Sequence, residues 1–365
     1  MSRFFFRYVG LFLLFSVLAS LSMSWLALAR GGLMVDDSWF YAQISYQWVR
    51  TGFPTFDGIH TTSGFHLAWG ACLALVSWPV SWLTDSKLVH ASVLCGAYLS
   101  VVWLICERVA AVSMWPRRAH FVCFVFLLLG ALLMESAALA LVLVLLLERM
   151  VAAAQDETRQ MRWGVALVAL GVLSRIDAVV LLVPWLLLEP RAQWRKVLTL
   201  GLLLGVGLQL GGMYLIFGEV FSVSSKIKAA ASWGAAGELF PGGNKTGLLV
   251  KGVLWLALWG WALVSSIALA SPARRSLLGA LAGALAFTAM HVVFSEARSW
   301  YFLPGYALAS WIVAFGSARH ERGRSYFIGA HQGAWSLPRC WSPTRATSPF
   351  PAKPRRRVLG SFPPR

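Results

Sequence analysis

Apolar runs of membrane-spanning length recur along most of this chain, and they fix what it can fold into. Residues 8–29 form the first, between Arg3/Arg7 and Arg30; 88–106, 197–217, 249–270 and 276–294 are others. About 20 apolar residues cross the hydrocarbon of a bilayer as a helix. With no water there to bond the backbone, each segment has to satisfy its own N–H and C=O groups, which selects helices. The expected fold is therefore all-α, a polytopic transmembrane helical bundle. Composition agrees, with 58% hydrophobic and 13% charged residues, more apolar surface than a soluble domain needs. The 19 Trp and 22 Phe suit two interfacial belts. The first run resembles a signal peptide in its basic flank, but no convincing small-residue cleavage site precedes Asp36 and the run is long for an h-region. It reads as a retained helix.

Lys and Arg give the sidedness. With the N-terminus inside, 8–29 exits and Asp36/Asp37 lie outside. Arg108, Arg117 and Arg118 must be inside, so one crossing, 88–106, separates them from Asp37. Segment 66–84, which contains Pro79, is then re-entrant or interfacial. Segment 119–134 exits and 136–150 returns. Residues 163–189 rise and return as two short pieces with Arg175 and Asp177 at the outer turn. Segment 197–217 exits to an outer loop at about 218–248, 249–270 returns, 276–294 exits and 300–316 returns, about ten spans in all. On this assignment Asp36, Asp37, Asp57, Glu135, Asp177, Glu219 and Glu296 share the outer face with Arg175, Lys226, Lys228 and Arg298, although only Lys and Arg were used to build it.

The net charge of +17 does not indicate a nucleic-acid partner. Residues 318–365 hold ten Lys/Arg against Glu321 alone, and the remaining excess is usual for cytoplasmic loops. The chain therefore divides into a transmembrane domain, 1–317, and a basic Arg/Pro/Ser-rich tail, 318–365, which reads as disordered. It is either a cytoplasmic arm attracted to anionic lipid or an out-of-frame end, and the second is favoured. The spacing of the five cysteines suits neither zinc nor a disulfide framework. Gly201 and Gly205 have the small-xxx-small spacing of close helix packing. Gly242 and Gly243 with Lys245 and Thr246 fail the phosphate-loop spacing.

Asp36 and Asp37 carry the strongest functional signal. Adjacent carboxylates beside a low-dielectric boundary repel each other and are costly unless a cation, a substrate or a reaction uses them. Three other pieces accompany them: Thr61-Thr62-Ser63-Gly64-Phe65-His66 with Trp69, Met134-Glu135-Ser136-Ala137, and Ser174-Arg175-Ile176-Asp177-Ala178. Read from residue chemistry alone, Glu135 is either a helix N-terminal charge or a site acid. Arg175 is either the ion-pair partner of Asp177 or a phosphate clamp. His66 is either an interfacial anchor or, with His60 and the Asp pair, part of a cation site. Asp57 is a turn residue.

Together these pieces resemble the GT-C superfamily of polytopic glycosyltransferases, in particular bacterial members of the family 39-like group related to protein O-mannosyltransferases and lipid A aminoarabinose transferases. Residues 295–304, Ser-Glu-Ala-Arg-Ser-Trp-Tyr-Phe-Leu-Pro, resemble a late aromatic motif of that group. The resemblance spans about residues 5–316. It implies a sugar donor on a polyprenyl phosphate, a lipid, cell-envelope glycan or protein acceptor, and a site on the outer face of the bacterial plasma (inner) membrane. Asp36 or Asp37 is then the general base, Glu135 a further site acid, and Arg175, Lys226, Lys228 and Arg298 hold the donor phosphate, with His66 and Asp177 as additional candidates. A divalent cation, Mg or Mn, on Asp36 and Asp37 is the candidate cofactor. Many relatives continue into further spans or an outer domain, so an inactive remnant is one alternative; a transporter or flippase of lipid-linked sugars is the other.

Overall fold

The computed structural model describes residues 3–28, 36–112, 132–152, 157–222, 245–267, 271–294 and 299–322. Among them the chain is helical, with eleven α-helices and no strand. In order these are α1 (Arg3–Leu28), α2 (Asp36–Thr51), α3 (Leu67–Ser81), α4 (Lys87–Ala111), α5 (Ser136–Ala152), α6 (Glu157–Ser174), α7 (Ala178–Leu188), α8 (Ala192–Phe217), α9 (Lys245–Ile267), α10 (Ser271–Phe294) and α11 (Leu303–Arg322); a 3₁₀ turn, Ser299–Phe302, leads into α11. Met1–Glu321 form one compact unit and Arg322–Arg365 a second, which apart from Arg322 lies outside the described residues. Most of segment 119–134 lies outside them as well.

Two helices, α4 and α8, are long and apolar enough to cross a membrane. The outward leucines of α8, among them Leu203 and Leu215, are well exposed and form a face that hydrocarbon would cover. The 15 residues of α3 and 11 of α7 are shorter apolar helices. At 1.5 Å per residue α7 is about 16 Å long, roughly half a hydrocarbon core. Pro79 sits inside α3 and Pro184 inside α7.

Small residues set the packing. A Cβ on Gly201 would lie 2.5 Å from Val168 Cβ, and one on Gly205 would lie 2.7 Å from Val172 Cβ and 3.0 Å from Ala169 Cα. These two glycines let α8 approach α6, and because residue numbers rise together across the contact the two helices run parallel. Gly279 and Gly283 meet the backbone at Trp185 and Leu181, so α10 runs antiparallel to α7. Gly96 meets Ser16 and Trp103 packs on Phe15, which makes α1 and α4 antiparallel.

These directions sort the polar groups to two ends. At one, the Arg191 guanidinium donates to Glu189 (2.6 Å), to the Met150 carbonyl (2.7 Å) and to Ser276 (3.2 Å), and Arg108 lies 3.9 Å from Glu148. The other end holds Glu135, Arg175 and Asp177.

Candidate functional site

The site is built on the turn that enters α5. Leu133 there has φ of +66° and is fully buried. A branched apolar residue adopts this left-handed conformation only where surrounding contacts enforce it. Trp69 Nε1 of α3 donates to the Leu133 carbonyl at 2.7 Å, and Ser38 Oγ of α2 donates to the Leu132 carbonyl. Two helices thus hold the turn, and it aims Glu135 inward.

Glu135 is 2% exposed. Its Oε1 accepts from Arg175 Nη1 at 2.5 Å, and His66 Nε2 stands 3.5 Å from the same oxygen. Its Oε2 is buried and meets no donor in hydrogen-bonding geometry. The Tyr41 hydroxyl, which accepts the His66 backbone N–H at 3.4 Å, lies beside this carboxylate. Burial works to raise the Glu135 pKa, but the charges of Arg175 and His66 outweigh it and hold the carboxyl below its usual value.

Arg175 occupies the centre, 3% exposed. Nε donates to Asp177 Oδ1 at 2.9 Å, Nη2 to Asp177 Oδ2 at 2.5 Å, and Nη1 also reaches Ser136 Oγ at 3.3 Å. The Tyr301 ring lies 4.9 Å and the Phe287 ring 5.6 Å from its guanidinium carbon. His291 of α10 completes the cluster: Nε2 is 3.0 Å from Asp177 Oδ2 and 3.5 Å from Arg175 Nη2, and the imidazole stacks on Tyr301 at 4.0 Å with planes 4° apart. Burial would raise the Asp177 pKa, yet Arg175 and His291 hold it far below the carboxylate range. Burial would lower that of Arg175, yet Asp177 and Glu135 hold it above its ordinary value.

Of the candidates in the sequence, the structure unites Glu135, Arg175, Asp177 and His66. Asp36 and Asp37 are the first two residues of α2, immediately before the Ser38 that is tied to the Glu135 turn; their side chains fall outside the described residues. Lys226, Lys228 and Arg298 lie outside them too. Each guanidinium nitrogen of Arg175 meets a partner within the cluster, in the geometry of an ion pair. His60 is not gathered with His66. Its Nδ1 sits 2.7 Å from Asp57, and Asp57 also accepts the Ile59 and His60 backbone N–H groups at 2.8 Å each, an exposed self-contained turn. The bond to His60 and these N–H groups hold Asp57 below the usual carboxylate range. Among the described residues no three His, Cys, Asp or Glu side chains form a metal-binding group.

His291, Tyr301 and Tyr41 were not among the candidates. His291 was the findable one, since an ionisable residue inside an apolar run, here 276–294, is a functional signal in its own right. The chain matches no protein-family model, no curated protein and no solved structure. The cluster is therefore read from its own chemistry.

Proposed function

We propose that the chain is a multi-pass membrane glycosyltransferase of the GT-C type. It takes a sugar from a polyprenyl-phosphate donor and passes it to a lipid, glycan or protein acceptor at the outer face of a bacterial plasma membrane. The observation that carries this reading is the tie from Ser38 to the Glu135 turn. It holds the start of the helix headed by Asp36-Asp37 against the turn that leads into Glu135. In the reaction one carboxylate of Asp36/Asp37 takes the proton of the acceptor hydroxyl. The acceptor oxygen attacks the anomeric carbon while the bond to the phosphate oxygen breaks, and the polyprenyl phosphate leaves with that electron pair. A positioned base of this kind contributes about 10²–10⁴-fold. Arg175, held by Glu135 and Asp177, meets the leaving phosphate together with Lys226, Lys228 and Arg298. Cations assist such a step most when they are positioned before charge develops.

A transporter of lipid-linked sugars is the competing reading. Such proteins carry ionisable groups near the midplane on broken helices. Here Glu135, Arg175 and Asp177 gather in turns at one end of the helices, which favours an interfacial reaction.

Membranes containing the wild type or Asp37→Asn, supplied with radiolabelled polyprenyl-phosphate sugars, test the proposal. Label should move to an acceptor with the wild type and fall at least about 10²-fold in the variant at equal membrane abundance. No transfer by the wild type from any donor overturns the reading.

A further inference from the structure

Glu135 is oriented through a chain of contacts that ends on a different helix. Its Oε1 is fixed by Arg175. The guanidinium is in turn fixed edge-on by both oxygens of Asp177. Asp177 Oδ2 receives its second contact from His291 Nε2, at 3.0 Å. The imidazole cannot rotate freely, because Tyr301 lies flat against it and Phe287 packs on its edge at 4.6 Å. Since α10 is seated on α7 through Gly279 and Gly283, the backbone carrying His291 is held against the helix that Asp177 begins. Ser136, the first residue of α5, adds to this chain the 3.3 Å contact with Arg175 Nη1.

We propose that His291 is a positioning residue for Glu135, acting through Asp177 and Arg175, with Tyr301 holding its ring in place. His291 does not touch the reacting atoms. It keeps Asp177 turned to Arg175, and so keeps one guanidinium nitrogen on Glu135 and that carboxylate charged and in a single orientation. This rests on the reading that Glu135 belongs to the transferase site, but the restraint on Glu135 is testable apart from it.

Two replacements separate the contacts. His291→Phe keeps a flat ring on Tyr301 and removes the nitrogen facing Asp177. His291→Gln gives up the ring and retains a nitrogen donor at comparable reach. Both are compared with the wild type in full-length protein in membranes. The probe is dicyclohexylcarbodiimide, which labels protonated carboxyls in apolar surroundings, with modification of Glu135 read by peptide mass across pH 5–8. Labelling of Glu135 should be slow in the wild type, about tenfold faster in His291→Phe, equivalent to one pKa unit, and close to wild type in His291→Gln. In transfer assays His291→Phe should lose kcat with donor KM unchanged, and His291→Gln should recover most of it. Labelling in His291→Phe at the wild-type rate overturns the proposal, as does equal acceleration in both variants. If labelling follows the expected order while even the wild type transfers no sugar, the restraint on Glu135 stands and the glycosyltransferase reading falls.

Discussion

Removing the central cation of the cluster should reverse the pH dependence of stability. In Arg175→Met a side chain of similar length fills the site without charge. Asp177 then loses both guanidinium contacts and keeps His291, while Glu135 keeps the longer contact to His66 and the neighbouring Tyr41 hydroxyl. Two buried carboxylates left without their cation cost about 3–5 kcal/mol near neutral pH. In the wild type both carboxyls are held below their ordinary values. Their contribution is fully present above the unfolded value of about 4 and is lost as the pH falls from there through the lower values of the folded state. In the variant, burial and mutual repulsion raise both. The native state then binds a proton that the unfolded chain lacks, and stability rises as the pH falls toward 5, by at most about 1.4 kcal/mol per pH unit for each such proton. Protonation converts buried charges into neutral polar groups, whose unsatisfied cost is about 1–3 kcal/mol, so about 2 kcal/mol should return between pH 8 and pH 5. Thermal unfolding in detergent micelles, followed by circular dichroism at a series of pH values, reads this directly. The variant should melt higher at pH 5 than at pH 8, and the wild type should not. A variant whose melting temperature changes between pH 8 and pH 5 no differently from that of the wild type refutes the arrangement of charges described here.

Two further predictions concern the frame. Gly205→Ala should destabilise by about 1–3 kcal/mol, because its Cβ meets Val172 and Ala169; Gly207→Ala on the same helix, with nothing within 4 Å, should gain about 0.5–1 kcal/mol. Equal shifts in the melting temperatures of the two variants would remove the close α6–α8 contact. At Leu133, truncation to Ala should cost about 2–5 kcal/mol through lost packing. Leu133→Gly should melt no lower than Leu133→Ala, since glycine is relieved of about 1–2 kcal/mol of left-handed strain; a lower midpoint for glycine shows that the turn is not strained.

How far the sequence could be read depended on whether the decisive contact was local. Gly201 and Gly205 announced close helix packing by their spacing, and they do pack, because a small residue on a helix face means much the same thing wherever the partner is. Glu135, Arg175 and Asp177 stood out because charge beside apolar runs is costly and demands a reason. Asp57 read as a turn residue because its partners lie two and three positions along the chain. What no pattern supplied was the pairing of Arg175 with Glu135 across 40 residues and its contact with His291 across 116. Nor did any pattern reveal that Trp69 and Ser38 reach carbonyls of one strained turn. Those depend on helix directions and on how deeply α10 sinks onto α7. Arg175 stood between an ion pair and a phosphate clamp because both readings need the same residue at the same place; the structure adds its contacts to Glu135 and Asp177.

The cluster is more elaborate than the stability of a bundle end requires. A carboxylate serving only as a helix N-terminal charge gains about 0.3–1 kcal/mol and does so best when solvated. Glu135 is instead 2% exposed, with one oxygen lacking a donor, and it follows a leucine whose backbone conformation costs about 1–2 kcal/mol. Buried ion pairs in general are often replaceable by apolar side chains with no loss of stability. Against that background, three ionised groups, two imidazoles and two aromatic rings drawn from five separate segments are poorly explained as packing. They are well explained as a means of holding one carboxylate ionised, dry and fixed in orientation. That condition suits a group that must receive a hydrogen bond from a bound hydroxyl without itself becoming protonated. In the proposed reaction, proton removal then falls to the Asp36-Asp37 pair at the head of α2, one residue from the Ser38 tie to the same turn.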